Sequence, residues 1–190
     1  MAKSHIAILA SGSGTNAEEI MKFFRDHPNA DVSVLLSNNP KAFALQRAEK
    51  YNVPTHVFNR EQFSSPMHIL EILSKHEVTH LVLAGFLWLI PDYLIKSFPK
   101  KIINIHPALL PKFGGKGMYG TNIHEAIRAS GEKETGITIH EVNEHYDDGE
   151  ILFQAKCPIE KDETPDQIAD KVHQLEYQHY PRVIESWIKG

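Results

Sequence analysis

The chain has 190 residues, and its 20 lysines and arginines against 24 aspartates and glutamates give a formal net charge of −4. Neither sign gathers in a run, which argues against nucleic acid or an anionic membrane as the main partner. The single cysteine, Cys157, excludes an intramolecular disulfide, and no apolar run approaches the roughly 20 residues that a membrane helix needs.

One domain is expected over residues 1–190. No linker rich in proline, glycine and serine and no block of charge divides the chain, and this length can bury a single core. The first ten residues contain too short an apolar run for a signal peptide. The lone cysteine suits a reducing compartment, so the sequence predicts a cytoplasmic protein.

Apolar runs alternate with helical patterns along the first two thirds of the chain. Strands are predicted at residues 6–10, 32–36, 53–57, 79–84, 102–105, 136–142 and 151–156. Helices are predicted from 17 to about 27, from 42 to about 51, from about 65 to 76, from 91 to 97, from 122 to 130, and from 165 onward. Pro181 is expected to bend or interrupt the last helix.

This order of elements predicts the fold class. Strands that alternate with helices imply right-handed crossovers and a parallel sheet, whereas the last two strands are close enough in sequence to pair antiparallel. Pro54 places the strand 53–57 at an edge, because proline cannot donate to a central ladder. We therefore expect an α/β, Rossmann-like fold with a mostly parallel central sheet, helices on both faces and an antiparallel C-terminal addition.

The first candidate site is the glycine turn SGSGTNA at residues 11–17. Its G-x-G-x-x-A spacing fits the dinucleotide fingerprint, but residues 37–39, SNN, lack the acid that would bind the ribose. A nucleotide-hydrolase loop needs Gly-Lys-Ser/Thr, which is absent here. A single phosphate monoester held by Gly14, Thr15 and Asn16 is the better prediction. The alternative, a tight turn in which Thr15 or Asn16 caps the helix, stays open.

The second candidate is the apolar run at residues 86–90, which follows the strand 79–84. Such a run at a strand end suits the wall of a pocket for a flat heterocycle. It could equally be ordinary core.

The third candidate is the strand end at residues 102–107, where Asn104 and His106 occupy alternate positions before Pro107. Alternate residues of a strand point to the same face, so both polar side chains should point the same way. One interpretation is a hydrogen-bond donor beside a proton-handling imidazole, aimed at a reacting carbonyl. The other is a pair of polar residues that hold the following loop, and the two weigh about evenly.

The last candidates follow the strand 136–142. Asp147, on the turn DDG, could accept a hydrogen bond from an imidazole and favour its charged form, or could simply shape the turn. His140 and His145 are five residues apart, where a zinc-protease helix needs four, and His140 falls in a strand. No metal is therefore predicted.

Four of these motifs occur in the order found in the folate-dependent formyltransferases, which the chain resembles over nearly its whole length. They are SGSGTN at 11–16, AGF at 84–86, NIHPALLP at 104–111 and DDG at 147–149. The resemblance implies transfer of a formyl group from 10-formyltetrahydrofolate, a co-substrate, to the amine of glycinamide ribonucleotide in purine biosynthesis. These small molecules are the expected partners, and the chain is expected to act as a monomer or homodimer.

The resemblance also implies roles for individual residues. Asn104, His106 and Asp147 match the catalytic residues of the family. Gly14, Thr15, Asn16 and Glu176 match the substrate-binding positions, with the first three at the phosphate and Glu176 at the ribose. The folate contacts match Arg60, Leu87, Trp88, Leu89 and Ile90.

The expected mechanism is direct attack of the amine on the formyl carbon through a tetrahedral intermediate, with no covalent enzyme intermediate. Two alternatives remain. A formyltransferase for an amino sugar nucleotide would need a site for a second phosphate and a base. A non-catalytic nucleotide-binding module would leave Asn104, His106 and Asp147 chemically idle.

Overall fold

A computed structural model describes residues 3–190. The first two positions of the expected domain, and of the N-terminal run in which no signal peptide is predicted, lie outside the described residues. The strands are β1 (Ser4–Leu9), β2 (Ala30–Ser37), β3 (Thr55–Val57), β4 (His80–Leu83), β5 (Ile102–His106), β6 (Glu134–Glu141) and β7 (Ile151–Pro158). The helices are α1 (Thr15–Phe24), α2 (Phe43–Lys50), α3 (Arg60–Ser64), α4 (Pro66–Lys75), α5 (Asp92–Ser97), α6 (Thr121–Ser130) and α7 (Pro165–Trp187).

The seven strands form one sheet in the order β3-β2-β1-β4-β5-β6-β7. The pairs from β3 through β5 are parallel, while β5–β6 and β6–β7 are antiparallel. The strand with Pro54 before it, β3, lies at an edge as expected. The predicted Rossmann-like sheet with an antiparallel C-terminal addition is therefore confirmed.

Alternation along the central strands divides the core between the two faces of the sheet. In β1, Ile6 and Ile8 pack with α1, α2 and α7, whereas Ala7 and Leu9 pack with α4 and α5. This follows from the two-residue period of a strand. Because both faces carry helices, the rim at the ends of the parallel strands is left open to solvent.

Two features differ from the prediction. The short helix α3 was missed, although Asn59 and Gln62 form a capping box whose sequence signature was present. Of the two effects expected of Pro181, an interruption of the last helix is wrong, since α7 continues through this residue. Its neighbours hold it in place: Tyr180 is fully buried and donates a hydrogen bond to the Leu83 carbonyl oxygen, and Ile184 is buried in the core.

Within residues 3–190, none of the helices is both long and apolar enough to cross a membrane.

Candidate active site

A cavity of about 690 Å³ opens at the carboxyl edge of the parallel strands. The segments after β1, β4 and β5 line it, together with the start of α6, one face of α7 and the turn after β6. Parallel α/β proteins bind ligands at this edge. All predicted site residues except Arg60 line the cavity: Gly14, Thr15, Asn16, Leu87, Trp88, Leu89, Ile90, Asn104, His106, Asp147 and Glu176.

Asp147 lies on the turn between β6 and β7 and meets both polar residues of β5. Its Oδ1 is 3.5 Å from Nδ2 of Asn104, and its Oδ2 is 3.5 Å from Nδ1 of His106. Oδ2 also accepts a hydrogen bond of 2.9 Å from the backbone N–H of Gly115. The three side chains expected to act together are thus in one place, with the carboxylate and the imidazole slightly beyond direct hydrogen-bond distance.

Both ring nitrogens of His106 face protein groups. Nε2 donates to the backbone carbonyl oxygen of Phe113 at 2.8 Å, which leaves Nδ1 facing Asp147. Burial lowers the pKa of His106 and His140 lowers it further, whereas Asp147 and the Phe113 carbonyl raise it, and the net direction is downward. Asp147 alone would favour the charged ring, as the sequence predicts, but the effect of burial on the pKa of His106 is larger.

His140 is part of the site, although the sequence argument weighed it only as a metal ligand. It pairs with Asn104 across β5 and β6. Its Nδ1 donates to the Glu141 carbonyl oxygen at 2.7 Å, so Nε2 of the neutral ring can accept from Nδ2 of Asn104 at 3.2 Å. This contact orients the Asn104 amide. The signal that could have found it is cross-strand pairing, since opposite residues of an antiparallel pair share a face.

The pKa of Asp147 lies below its ordinary value, so this carboxyl is ionised at neutral pH. Burial alone would raise the pKa, but hydrogen bonding and charge oppose it. His140 lowers the pKa of Asp147 by a hydrogen bond and, like His106, by its positive charge when the ring is protonated. The N–H of Gly115 lowers it by a hydrogen bond. A partly buried carboxylate is thereby available next to His106.

The glycine turn places the beginning of α1 at the cavity. Gly14 is the N-cap residue with φ of +71°, and no side chain caps the helix, so the expected alternative of a Thr15 or Asn16 cap is wrong. A Cβ at position 14 would lie 2.5 Å from the Cα of Ala44, an approach that only glycine allows. The first N–H groups of α1 have no partner within the helix, and such groups suit a phosphate.

Asn16 and Glu176 join the glycine turn to α7. Nδ2 of Asn16 donates to the Glu176 carboxyl at 2.8 Å, while Oδ1 of Asn16 is buried without a partner among residues 3–190. Burial raises the pKa of Glu176 to about 7, with the Asn16 hydrogen bond acting in the opposite direction. Near neutral pH this carboxyl can therefore either donate or accept a hydrogen bond, and a hydroxyl can pair with either form.

The segment after β4 forms an apolar wall that belongs both to the core and to the cavity. Trp88 packs against Phe58, Phe63 and Phe86 and also lines the cavity. Arg60, the first residue of α3, lies outside the cavity lining, with its guanidinium carbon 3.9 Å from the centroid of the Trp88 ring. This cation–π contact makes Arg60 a support of the wall.

Within residues 3–190, the structure contains no group of three or more histidine, cysteine, aspartate or glutamate side chains arranged to hold a metal ion.

Comparison with known proteins gives consistent matches. A family profile described as "Formyl transferase" matches residues 4–184. The chain is 38% identical to the chloroplastic phosphoribosylglycinamide formyltransferase of Arabidopsis thaliana over 96% of its own length and 64% of that protein. It thus spans less than two thirds of this plant relative. It is 37% identical to the phosphoribosylglycinamide formyltransferase of Bacillus subtilis over 94% of its own length and 92% of that protein.

Solved structures agree with the sequence comparisons. The crystal structure of phosphoribosylglycinamide formyltransferase from Anaplasma phagocytophilum superposes with a TM-score of 0.86 and 34% sequence identity, covering 96% of this chain and 85% of that chain. The protein from Brucella melitensis superposes with a TM-score of 0.88 and 30% identity over 99% of this chain and 97% of that chain.

Proposed function

The chain belongs to the formyl transferase family, and from this premise we propose that it transfers a formyl group from 10-formyltetrahydrofolate to the amine of glycinamide ribonucleotide, a step of de novo purine biosynthesis. The observation that carries the proposal is the meeting of Asn104, His106 and Asp147 at the end of β5. Acyl transfer to an amine needs a hydrogen-bond donor for the oxyanion and groups that move a proton, and these side chains supply both.

The ribonucleotide is proposed to bind along the α1 side of the cavity. Its phosphate would bind the N–H groups at Gly14, Thr15 and Asn16, and its ribose would bind Glu176. This orientation directs the amine toward the strand end that carries Asn104. The support is that the glycine turn, Glu176 and the strand end all line one cavity.

The folate is proposed to bind against the apolar segment after β4. Leu87, Trp88, Leu89 and Ile90 would contact its flat ring system, and Arg60, whose guanidinium packs on the Trp88 ring, is proposed as a further folate contact. Leu87 and Leu89 are 47% and 40% exposed, so they offer apolar surface that a heterocycle could cover. The formyl group carried by the folate would then meet the amine beside Asn104.

In the proposed reaction the amine nitrogen attacks the formyl carbon, and the carbonyl oxygen becomes an oxyanion. Nδ2 of Asn104 donates a hydrogen bond to that oxygen. His106 in its charged form adds a second donor, and the developing negative charge raises its pKa at that moment. Asp147 stabilises the charged imidazole and helps to move the proton from the attacking nitrogen to the departing folate nitrogen, directly or through one water.

One movement is required by this proposal. Nε2 of His106 is hydrogen-bonded to the Phe113 carbonyl oxygen, so that carbonyl must give way before Nε2 can donate to substrate. The segment 113–120 that would move contains four glycines, Gly114, Gly115, Gly117 and Gly120. Three of them, Gly115, Gly117 and Gly120, have positive φ values, a backbone freedom that favours such a rearrangement.

Residues 1–190 are proposed to form one formyltransferase domain, which the family match over 4–184 and the single sheet support. A cytoplasmic location fits a chain with one cysteine, Cys157, which is unpaired. A monomer or homodimer is proposed as the working state.

The test is an assay with purified protein, 10-formyltetrahydrofolate and glycinamide ribonucleotide, in which the deformylated folate is followed by absorbance. Turnover that depends on both substrates is expected. A parallel reaction with an amino sugar nucleotide in place of glycinamide ribonucleotide is the control for the alternative enzyme. Turnover with the amino sugar nucleotide but not with glycinamide ribonucleotide would overturn the proposal. Turnover that needs no acceptor at all would overturn it as well.

A further inference from the structure

His124 is a buried histidine of the cavity for which the proposed reaction has no use. It lies in the first turn and a half of α6, is 4% exposed and lines the cavity. Its Nδ1 is buried and has no hydrogen-bond partner among residues 3–190. Buried polar atoms in folded proteins are nearly always paired, because otherwise nothing replaces the lost hydration. The ring therefore has a hydrogen-bonding capacity that the protein does not use.

The groups around His124 keep it uncharged. Burial has the largest effect, and it lowers the pKa of His124 to about 4. His173 on α7 and His106 on β5 also disfavour the charged ring, whereas Asp166 at the start of α7 favours it. At neutral pH the ring is thus a neutral imidazole with one N–H donor and one bare nitrogen that accepts.

The position of His124 separates it from the expected folate wall. The cavity face of α7 carries Ala169, His173 and Glu176 at helical spacing, and α6 packs against α7. His124 therefore belongs to the same side of the cavity as Glu176, the expected ribose contact. Leu87 to Ile90, the expected folate contacts, follow β4.

We propose that His124 binds the ribonucleotide, by a hydrogen bond to an uncharged group that can both donate and accept, namely a sugar hydroxyl or the carboxamide. This inference rests on the proposed function. A neutral imidazole matches such a group in both directions, whereas a phosphate dianion offers only acceptors and finds its donors at the N-terminus of α1. Rotation of the ring about its Cβ–Cγ bond exchanges nitrogen and carbon positions, so a nitrogen can be turned toward the ligand.

Two substitutions test the role. His124→Leu removes both nitrogens, and His124→Gln retains a donor and an acceptor. For His124→Leu we expect the KM for glycinamide ribonucleotide to rise about 10-fold, the size of one lost neutral hydrogen bond, while the KM for the folate stays within twofold. His124→Gln should recover most of the affinity. The Tm of His124→Leu should not fall, because neither nitrogen that it removes makes a hydrogen bond within residues 3–190.

Equilibrium binding measured by calorimetry separates this inference from the proposed function. Ribose 5-phosphate carries the sugar hydroxyls without the carboxamide. Weaker binding of ribose 5-phosphate to His124→Leu places the contact on the ribose phosphate part of the ligand. Unchanged binding of ribose 5-phosphate together with weaker binding of glycinamide ribonucleotide assigns the contact to the carboxamide. If His124→Leu binds ribose 5-phosphate and glycinamide ribonucleotide as tightly as wild type does, the inference is overturned, even if the wild-type protein shows no turnover. A fall in Tm with equal rises in both KM values also overturns it, since that pattern indicates a structural role.

Discussion

At the scale of single residues, the proposed chemistry depends most directly on the charge of Asp147. Asp147→Asn keeps the size of the side chain and tolerates the positive φ of +54° at this position. It removes the negative charge that stabilises a charged His106, an interaction that matters most in the transition state. We expect kcat to fall roughly 10²- to 10⁴-fold with only small changes in either KM, measured by steady-state kinetics.

The neighbouring Asp148 supplies a matched control for this experiment. It lies on the same turn with its side chain exposed, so Asp148→Asn removes the same charge without touching His106. Its kcat should stay within twofold of wild type. If the two variants had the same kcat, the role proposed for Asp147 would be wrong.

Glu176 is the residue whose burial should be visible in the pH dependence of stability. Its pKa is about 7 in the folded protein and near 4.5 when unfolded, so between these values the folded state binds more protons than the unfolded state. Stability from this group is therefore full below about pH 4.5 and is lost as the pH rises through 7. The loss across this window is roughly 3 kcal/mol.

Glu176→Gln should remove that loss, because the amide does not ionise. Urea unfolding of wild type and variant at a series of pH values between 4.5 and 8 measures the difference in free energy of unfolding. We expect the free energy of unfolding of Glu176→Gln to increase relative to that of wild type as the pH rises. Glu144→Gln, at an exposed site, controls for the loss of one negative charge. A difference between wild type and Glu176→Gln that did not vary with pH would contradict the assigned burial effect.

At the scale of elements, the strand positions were predictable because alternation and apolar runs are local properties of the chain. The predicted strand 102–105 is found as β5, Ile102–His106, with Asn104 and His106 on the same face. The role of His140 depends on the partner strand, and the contact of His106 with Phe113 depends on how a glycine-rich loop folds back. Neither is encoded in a local pattern, so sequence reasoning reached the catalytic candidates but not the groups that orient them.

The hairpin of β6 and β7, which carries the turn with Asp147, depends on a close approach at Gly136. A Cβ at this position would lie 1.8 Å from the carbonyl oxygen of Ala155 on β7. Gly136→Ala must push the two strands apart, and we expect it to lower the free energy of unfolding by roughly 2–4 kcal/mol, measured by urea denaturation.

Gly12→Ala is the matched comparison, because a Cβ at position 12 meets nothing within 4 Å. Its stability should change by less than about 1 kcal/mol, since alanine there only restricts the unfolded chain. Equal stability of the Gly12 and Gly136 variants would show that the hairpin adapts without cost, and the close approach would then not constrain the position of the turn.

At the scale of the whole molecule, the two expected substrate sites are built on opposite faces of the sheet. Trp88 packs into the cluster formed with α4 and α5, whereas α1 and α7, which carry Asn16 and Glu176, pack into the cluster on the other face. The ends of the central strands lie between the two clusters, and there the catalytic candidates meet. The fold thus brings two independently supported binding surfaces to one rim, which suits a reaction that transfers a group between two substrates.

Because the two binding surfaces are supported by different parts of the core, a substitution in one should not change binding at the other. Arg60→Ala removes the cation that packs on Trp88 and should raise the KM for the folate about 3- to 10-fold with little change for the ribonucleotide. Asn16→Ala removes the hydrogen bond to Glu176 and should raise the KM for the ribonucleotide by a similar factor with little change for the folate. Arg60 contacts Trp88 in the cluster on one face of the sheet, whereas Asn16 contacts Glu176 on α7, which packs on the other face. For each substrate separately, the change in binding free energy of the double variant should therefore equal the sum of the changes in the two single variants within about 0.5 kcal/mol. Steady-state kinetics of wild type, the two single variants and the double variant measures this directly.

A double variant that departed from additivity by more than 1 kcal/mol, beyond the roughly 0.5 kcal/mol expected for separate sites, would mean that the two halves of the cavity are coupled through the sheet.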